Sequence, residues 1–223
     1  MDGLYVYAIA QRPAKACPTG IFGRPLRSMR VGRLHVVVEP ALRAPKPSVA
    51  KITAQAKIVA ALVASGADLL PARFGSHVAG VTELQHALGA RSADLQAMLR
   101  RTRGCVQMTV RVPATPSGPR TSARRPARRA RSGAEYLRER AAAAAGTGHP
   151  LVAALNRAVK PYIKAVRVDW AKEPAAFVRV HHLVRRARVA DYAWTITREL
   201  ARRGGGAISI SGPWAPFAFA EVT

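Results

Sequence analysis

Few side chains in this sequence could act together as metal ligands. His181 and His182 are adjacent in a segment that is typical of a β-strand. Neighbouring strand residues point to opposite faces, so the two rings cannot share one metal ion. The other histidines are scattered, and neither an H-E-x-x-H motif nor a paired-cysteine motif accompanies them. The sequence therefore predicts no metal site and no cofactor.

The groups that could bind phosphate or act as nucleophiles are equally isolated. The glycine run 204–206 precedes a predicted strand, so it lacks the helix N-terminus that a phosphate site uses. Ser211 lacks the G-x-S-x-G pattern of an activated serine. The 12 carboxylates form no close pair suited to glycoside or two-metal chemistry. We therefore expect a protein that is not an enzyme.

An arginine-rich segment is the clearest remaining candidate site. Residues 113–131 contain four prolines, six arginines and no large apolar side chain, which predicts a mobile linker or surface loop. Guanidinium groups can bind phosphate or carboxylate with two hydrogen bonds each. The candidate anion- or partner-binding residues are Arg120, Arg124, Arg125, Arg128, Arg129 and Arg131. The alternative is a solvated tether that binds nothing in particular.

The formal net charge of +24 is unusual for a globular chain of 223 residues. A positive field of this size favours acidic partners, including nucleic acid and anionic protein surfaces. An excess of Ala, Arg, Gly and Pro with little Lys is also what a GC-rich coding sequence produces, and both interpretations stay open. No helix-turn-helix or zinc-finger pattern is present, so a sequence-specific DNA reader is not expected.

The elements before the linker predict an α+β domain over residues 1–112. Ser48 is a suitable N-cap for a helix that ends at Gly66, and a second helical region, 81–103, has a break near Gly89. The predicted strands are 4–9, 29–39, 68–75 and 105–112. The order β-β-α-β-α-β is close to a ferredoxin-like sheet with helices on one face.

The residues after the linker predict a smaller α+β domain over 132–223. Helical stretches and short strands alternate here, with helices predicted at 136–145, 151–163 and 189–200 and strands at 166–170, 177–184 and 207–211. Gly212 and Pro213 predict a turn that folds Trp214, Phe217 and Phe219 back onto this domain.

The remaining bulk features indicate a cytoplasmic protein. The longest uncharged runs are too short to span a bilayer, and the N-terminus does not resemble a secretory signal. Cys17 and Cys105 have no metal-type spacing, and reduced thiols are favoured over the one possible disulfide.

Five segments, in order along the chain, resemble the gas vesicle synthesis proteins of the F/L family. They are LYVYAI at 4–9, LPARFG at 70–75, GCVQMTVRV at 104–112, SGAEYL at 132–137 and SGPWAPFAF at 211–219. The resemblance implies two α+β domains, the first a modified ferredoxin-like fold. It also implies a non-enzymatic accessory or minor structural protein, associated with gas vesicles, that binds the vesicle shell protein or other accessory proteins.

The residues that carry this resemblance are expected to be mainly structural. We expect packing or turn roles for Arg73, Phe74, Gly75, Gly104, Gly212, Pro213, Trp214 and Phe217. For the aromatic members, contact with a partner is the alternative. The alternative hypothesis for the function of the chain is a basic nucleic-acid- or polyanion-binding protein that uses the arginine-rich segment.

Overall fold

The computed structural model describes residues 3–14, 18–113, 149–170, 177–203 and 208–220. The chain forms two compact units. The first runs to Val106 and also includes the residues from Trp214 onward, and the second is Gln107–Pro213. The division thus falls at Val106 rather than at the predicted Val112. Apart from Pro113, the predicted linker 113–131 lies outside the described residues, and so does the predicted helix 136–145.

The first unit contains a five-stranded antiparallel sheet. Its strands are β1 (Leu4–Ala10), β2 (Arg27–Val31), β3 (Leu34–Pro40), β4 (Leu69–Pro71) and β5 (His77–Val78). The order is β2-β3-β1-β4, and β5 also pairs with β1. The predicted single strand 29–39 is a hairpin, because Gly32 has a φ of 59° and reverses the chain between β2 and β3.

Three helices pack on this sheet: α1 (Val49–Ala64), α2 (Val81–Gly89) and α3 (Ser92–Thr102). The predicted cap at Ser48 and break after Gly89 are both present. Apolar residues of α2 and α3 share a core with Leu4 and Val6 of β1. Tyr5 points to the opposite face, where it bonds to Gln55 of α1. Helices therefore cover both faces of the sheet, not one as expected.

In the described part of the second unit, a four-stranded sheet is covered by two helices. Its elements are β6 (Cys105–Pro113), α4 (Pro150–Val159), β7 (Ile163–Trp170), β8 (Phe177–Arg185), α5 (Val189–Arg202) and β9 (Ser209–Trp214). The strand order is β7-β8-β6-β9. Alternate residues of β6, such as Val110, pack against Leu155 of α4 and Ile196 of α5. The predicted α+β class is confirmed.

The C-terminal aromatic segment corrects the prediction for Gly212 and Pro213. These residues lie inside β9 rather than in a turn, because the strand continues to Trp214. The chain beyond belongs to the first unit, where Phe219 is buried and its carbonyl oxygen accepts a hydrogen bond of 3.2 Å from Arg101. The expected packing of this segment on the C-terminal domain is therefore wrong.

Among the described residues, no helix has the length and apolar character that crossing a membrane requires.

Candidate functional site

The motif residues 73–75 form a loop that Tyr5 holds in place. The predicted strand 68–75 ends at Pro71, so Phe74 is half-buried rather than in the core, and Arg73 is exposed. The Gly75 N–H donates to the Tyr5 hydroxyl at 3.0 Å, and the Phe74 ring meets the Tyr5 ring edge-on at 6.4 Å. Burial raises the pKa of Tyr5. Tyr5 is therefore a neutral hydroxyl that fixes this loop.

The two motif glycines have conformational roles. Gly104 joins α3 to β6 with a φ of 66°, and its N–H donates to an Asp68 carboxylate oxygen at 3.0 Å. Gly212 has a φ of 124°, and a Cβ there would lie 2.8 Å from the carbonyl oxygen of Gln107. Gly212 therefore requires a residue without a side chain, whereas at Gly104 the positive φ alone favours glycine.

Gly212→Ala should lower the free energy of unfolding by about 2–4 kcal/mol, because backbone strain and overpacking act together. Urea unfolding monitored by circular dichroism measures this loss. Gly32→Ala is the control, since Gly32 also has a positive φ but open space around it. We expect a loss of about 1 kcal/mol there. Equal losses in the two variants would contradict the close approach at Gly212.

The six predicted arginines between 120 and 131 lie outside the described residues, so their role stays a prediction. Trp214 and Phe217 are on the surface, with 39% and 37% of their areas exposed. Pro213 lies in β9 and is exposed. Whether the predicted residues form one site therefore stays a prediction, because its arginines are not among the described residues.

A buried carboxylate organises the most distinctive surface of the first unit. Glu39, at the end of β3, is fully buried and lies opposite Tyr5 of β1. It accepts the Tyr7 hydroxyl at 2.6 Å, the Arg24 N–H at 2.9 Å and the Phe22 N–H at 3.1 Å. The loop from Gly20 to Arg24 thus folds around one anion, in the manner of a backbone nest.

The residues around Glu39 are closely packed and hydrogen-bonded. The Tyr7 hydroxyl also accepts the Ile21 N–H at 2.8 Å, and burial together with its bond to Glu39 raises the pKa of Tyr7. A side chain at Gly20 would overlap the Glu39 carboxylate. The buried network therefore presents Phe22 and Arg24 at the surface in fixed positions.

Beside this loop lies a groove of about 740 Å³, formed by residues 40–46 with Phe22, Arg24 and Lys51. We call it the Leu42 groove. Its walls combine apolar side chains with the cationic groups of Arg24, Arg43, Lys46 and Lys51. A further depression of about 460 Å³ adjoins it, because Arg24 and Pro40 line both. Apolar and cationic side chains thus lie together on one open surface.

The apolar surface at the start of α1 departs from what the spacing of its residues indicates. Val49, Ile52, Val59 and Val63 recur at helical spacing, which is typical of one buried face. The latter two are buried, whereas Val49 is 84% exposed and Ile52 is 47% exposed. The inward stripe therefore starts at Gln55, and the first turn of α1 carries apolar side chains in water.

The second unit contains a polar network around His181. Its Nε2 donates to Asp169 at 3.2 Å, so its Nδ1 accepts from Thr109 at 3.1 Å and Gln107 at 3.2 Å. Burial lowers the pKa of His181, while Asp169 opposes that shift. Such a ring can move a proton, but the adjacent Thr109 is almost fully buried. The geometry favours a role in joining β6, β7 and β8.

His182 points to the other face of β8, where it links the two helices. Its Nε2 donates to Asn156 of α4 at 2.8 Å, and its Nδ1 accepts the Tyr192 hydroxyl of α5 at 2.7 Å. Burial lowers the pKa of His182 to about 3. The adjacent histidines thus have separate partners. Within the described ranges, no group of three His, Cys, Asp or Glu side chains could hold a metal ion.

Sequence reasoning missed Glu39 and Tyr7. The available signal was a single acidic residue ending the apolar run 36–38, in a chain with only 12 acidic residues. A carboxylate in such a position must find donors when it is buried. The donors come from the loop 20–24, which pattern analysis could not place beside β3.

The comparisons with known proteins agree with this fold. The family model for "Gas vesicle synthesis protein GvpL/GvpF" matches residues 3–221. Two crystal structures share the fold over the full length of both chains: the gas vesicle protein GvpF from Anabaena sp. PCC7120 (TM-score 0.73, 16% identity) and that from Microcystis aeruginosa (TM-score 0.76, 15% identity). No curated protein matches the sequence. The chain therefore belongs to the GvpL/GvpF family of gas vesicle synthesis proteins.

Proposed function

We propose that the protein is a non-enzymatic assembly factor that binds gas vesicle shell or accessory proteins through surface contacts. The observation that supports this role is the Leu42 groove, which apolar and cationic side chains line together. A shell subunit must keep its apolar surface from self-associating before it joins the vesicle. A protein with a matching apolar surface can cover it until then.

The test combines binding with a cellular assay. The purified chain, immobilised, should retain the vesicle shell protein or an accessory protein from the same organism, and a strain without the gene should make fewer or malformed vesicles. Electron microscopy and a sedimentation assay of vesicle content provide the readouts. Normal vesicles in the deletion strain, together with no retained vesicle protein, would refute the role.

A second candidate function is binding to nucleic acid or another polyanion, and the net charge of +24 favours it. Binding to duplex DNA should then weaken steeply with salt, since each neutralised phosphate releases counterions. Fluorescence anisotropy over a salt series measures the slope of log affinity against log salt. A flat response, or none, would remove this candidate.

A further inference from the structure

We propose that the Leu42 groove binds an acidic amphipathic segment of a partner protein, with an apolar side chain seated on Leu42 and carboxylates on the cationic rim. This inference rests on the proposed function and adds the chemistry of the partner. Three features of the groove support it: exposed apolar area, a charge of one sign and walls that are already fixed.

The apolar part of the groove is unusually open to water. Leu42 is 77% exposed, and Phe22, which also lines the groove, is partly exposed as well. Val49 and Ile52 add exposed apolar area on α1, the helix that also supplies Lys51 to the groove. Covering such side chains with an apolar partner residue removes them from water and is favourable.

The charges around the groove decide which partner fits. Arg24, Arg43, Lys46 and Lys51 line it, and Arg27 lines the adjoining depression. Among the described residues that form the two depressions, none is acidic. The nearby carboxylate of Glu39 is buried, and both of its oxygens accept hydrogen bonds from the protein itself. Asp or Glu side chains of a partner would therefore meet an uncompensated positive rim.

Hydrogen bonds hold two parts of the groove lining in place before any partner binds. Glu39 accepts the N–H groups of Phe22 and Arg24. The Ala41 N–H donates to the Gly3 carbonyl at 2.8 Å, and the Ala41 carbonyl accepts from His77 Nε2 at 2.9 Å. A preformed surface loses little conformational entropy on binding, so a short segment can bind with useful affinity.

The apolar wall distinguishes a protein segment from a nucleic acid. A polyanion would use the cationic rim alone and would gain nothing from Leu42, whereas an amphipathic segment uses both. The structure therefore favours a partner that presents apolar and acidic side chains together.

The experiment measures binding of a synthetic amphipathic helical peptide of about 16 residues, with leucines on one face and glutamates on the other. The full chain is titrated against the fluorescent peptide at physiological salt. Two variants test the groove: Arg43→Glu with Lys46→Glu, and Leu42→Ser. Their controls are Arg33→Glu with Arg100→Glu, which changes the net charge equally at exposed sites away from the groove, and Val81→Ser, at another exposed apolar side chain.

We expect each groove variant to raise the Kd of the acidic peptide by about tenfold or more, and each control to change it less than about threefold. A matched peptide with lysines in place of glutamates should not bind. The proposal would be overturned if groove and control variants lost equal affinity for the acidic peptide, or if only the charge variant lost affinity. It would also be overturned if the acidic peptide did not bind to the parent protein. Concentration-dependent dimerisation that Leu42→Ser abolishes would do the same, because it assigns the groove to a second copy. Retention of vesicle proteins by the same variants tests the proposed function separately.

Discussion

Glu39→Ala should lower the free energy of unfolding by about 3–5 kcal/mol, because it leaves buried donors without an acceptor. The Tyr7 hydroxyl and the N–H groups of Phe22 and Arg24 would all lose their partner. Single domains are stable by only about 5–15 kcal/mol, so the loss would be a large share of the total. Urea unfolding of parent and variant, monitored by circular dichroism, measures it.

Two further variants make this expectation specific. Glu39→Gln keeps one carbonyl oxygen as acceptor, so its free energy of unfolding should lie between those of the parent and the alanine variant. Asp94→Ala removes a carboxylate from an exposed position in the first turn of α3 and should cost less than about 1 kcal/mol. Glu39→Ala and Asp94→Ala variants of equal stability would show that the network around Glu39 contributes little.

The same substitution links stability to binding. Without Glu39 the N–H groups of Phe22 and Arg24 have no acceptor, so the loop 20–24 no longer holds these two residues in place at the Leu42 groove. Peptide binding should therefore weaken even under conditions where the variant is still folded. A folded Glu39→Ala protein with unchanged peptide affinity would show that the groove does not depend on this loop.

Local signals predicted the regular elements well. The Ser48 cap, the break near Gly89 and strand β8 each depend on residues close in sequence, whereas β7 begins at Ile163, which was expected to end the preceding helix. Such features follow from backbone propensity and side-chain periodicity alone. The α+β class could be derived from them.

The features that failed are those that depend on distant parts of the chain. Val49 and Ile52 fit the periodicity of a buried helix face, but they are exposed, and periodicity cannot tell where burial stops. Gly212 and Pro213 are typical of a turn, but they lie in β9. The candidate site was missed for the same reason, since the partners of Glu39 lie between 15 and 32 residues away in sequence.

His182 should make the protein sensitive to acid in a predictable way. Its pKa is about 3 in the folded protein because it is buried, and about 6.5 is its ordinary value. Below about pH 6.5 the unfolded chain therefore binds a proton that the folded chain does not. The stabilisation from neutral His182 is complete above that pH and is lost progressively towards about pH 3, at about 1.4 kcal/mol per pH unit.

We expect the free energy of unfolding to fall by about 2 kcal/mol from His182 alone between about pH 7 and about pH 5. His182→Gln can still accept from Tyr192 and donate to Asn156, but it does not titrate. Between about pH 7 and about pH 5, the unfolding free energy of His182→Gln should therefore fall by about 2 kcal/mol less than that of the parent. His86→Gln, at an exposed histidine, is the control variant. If His182→Gln and the parent lose stability equally as the pH falls, His182 is not the group that couples acid to unfolding.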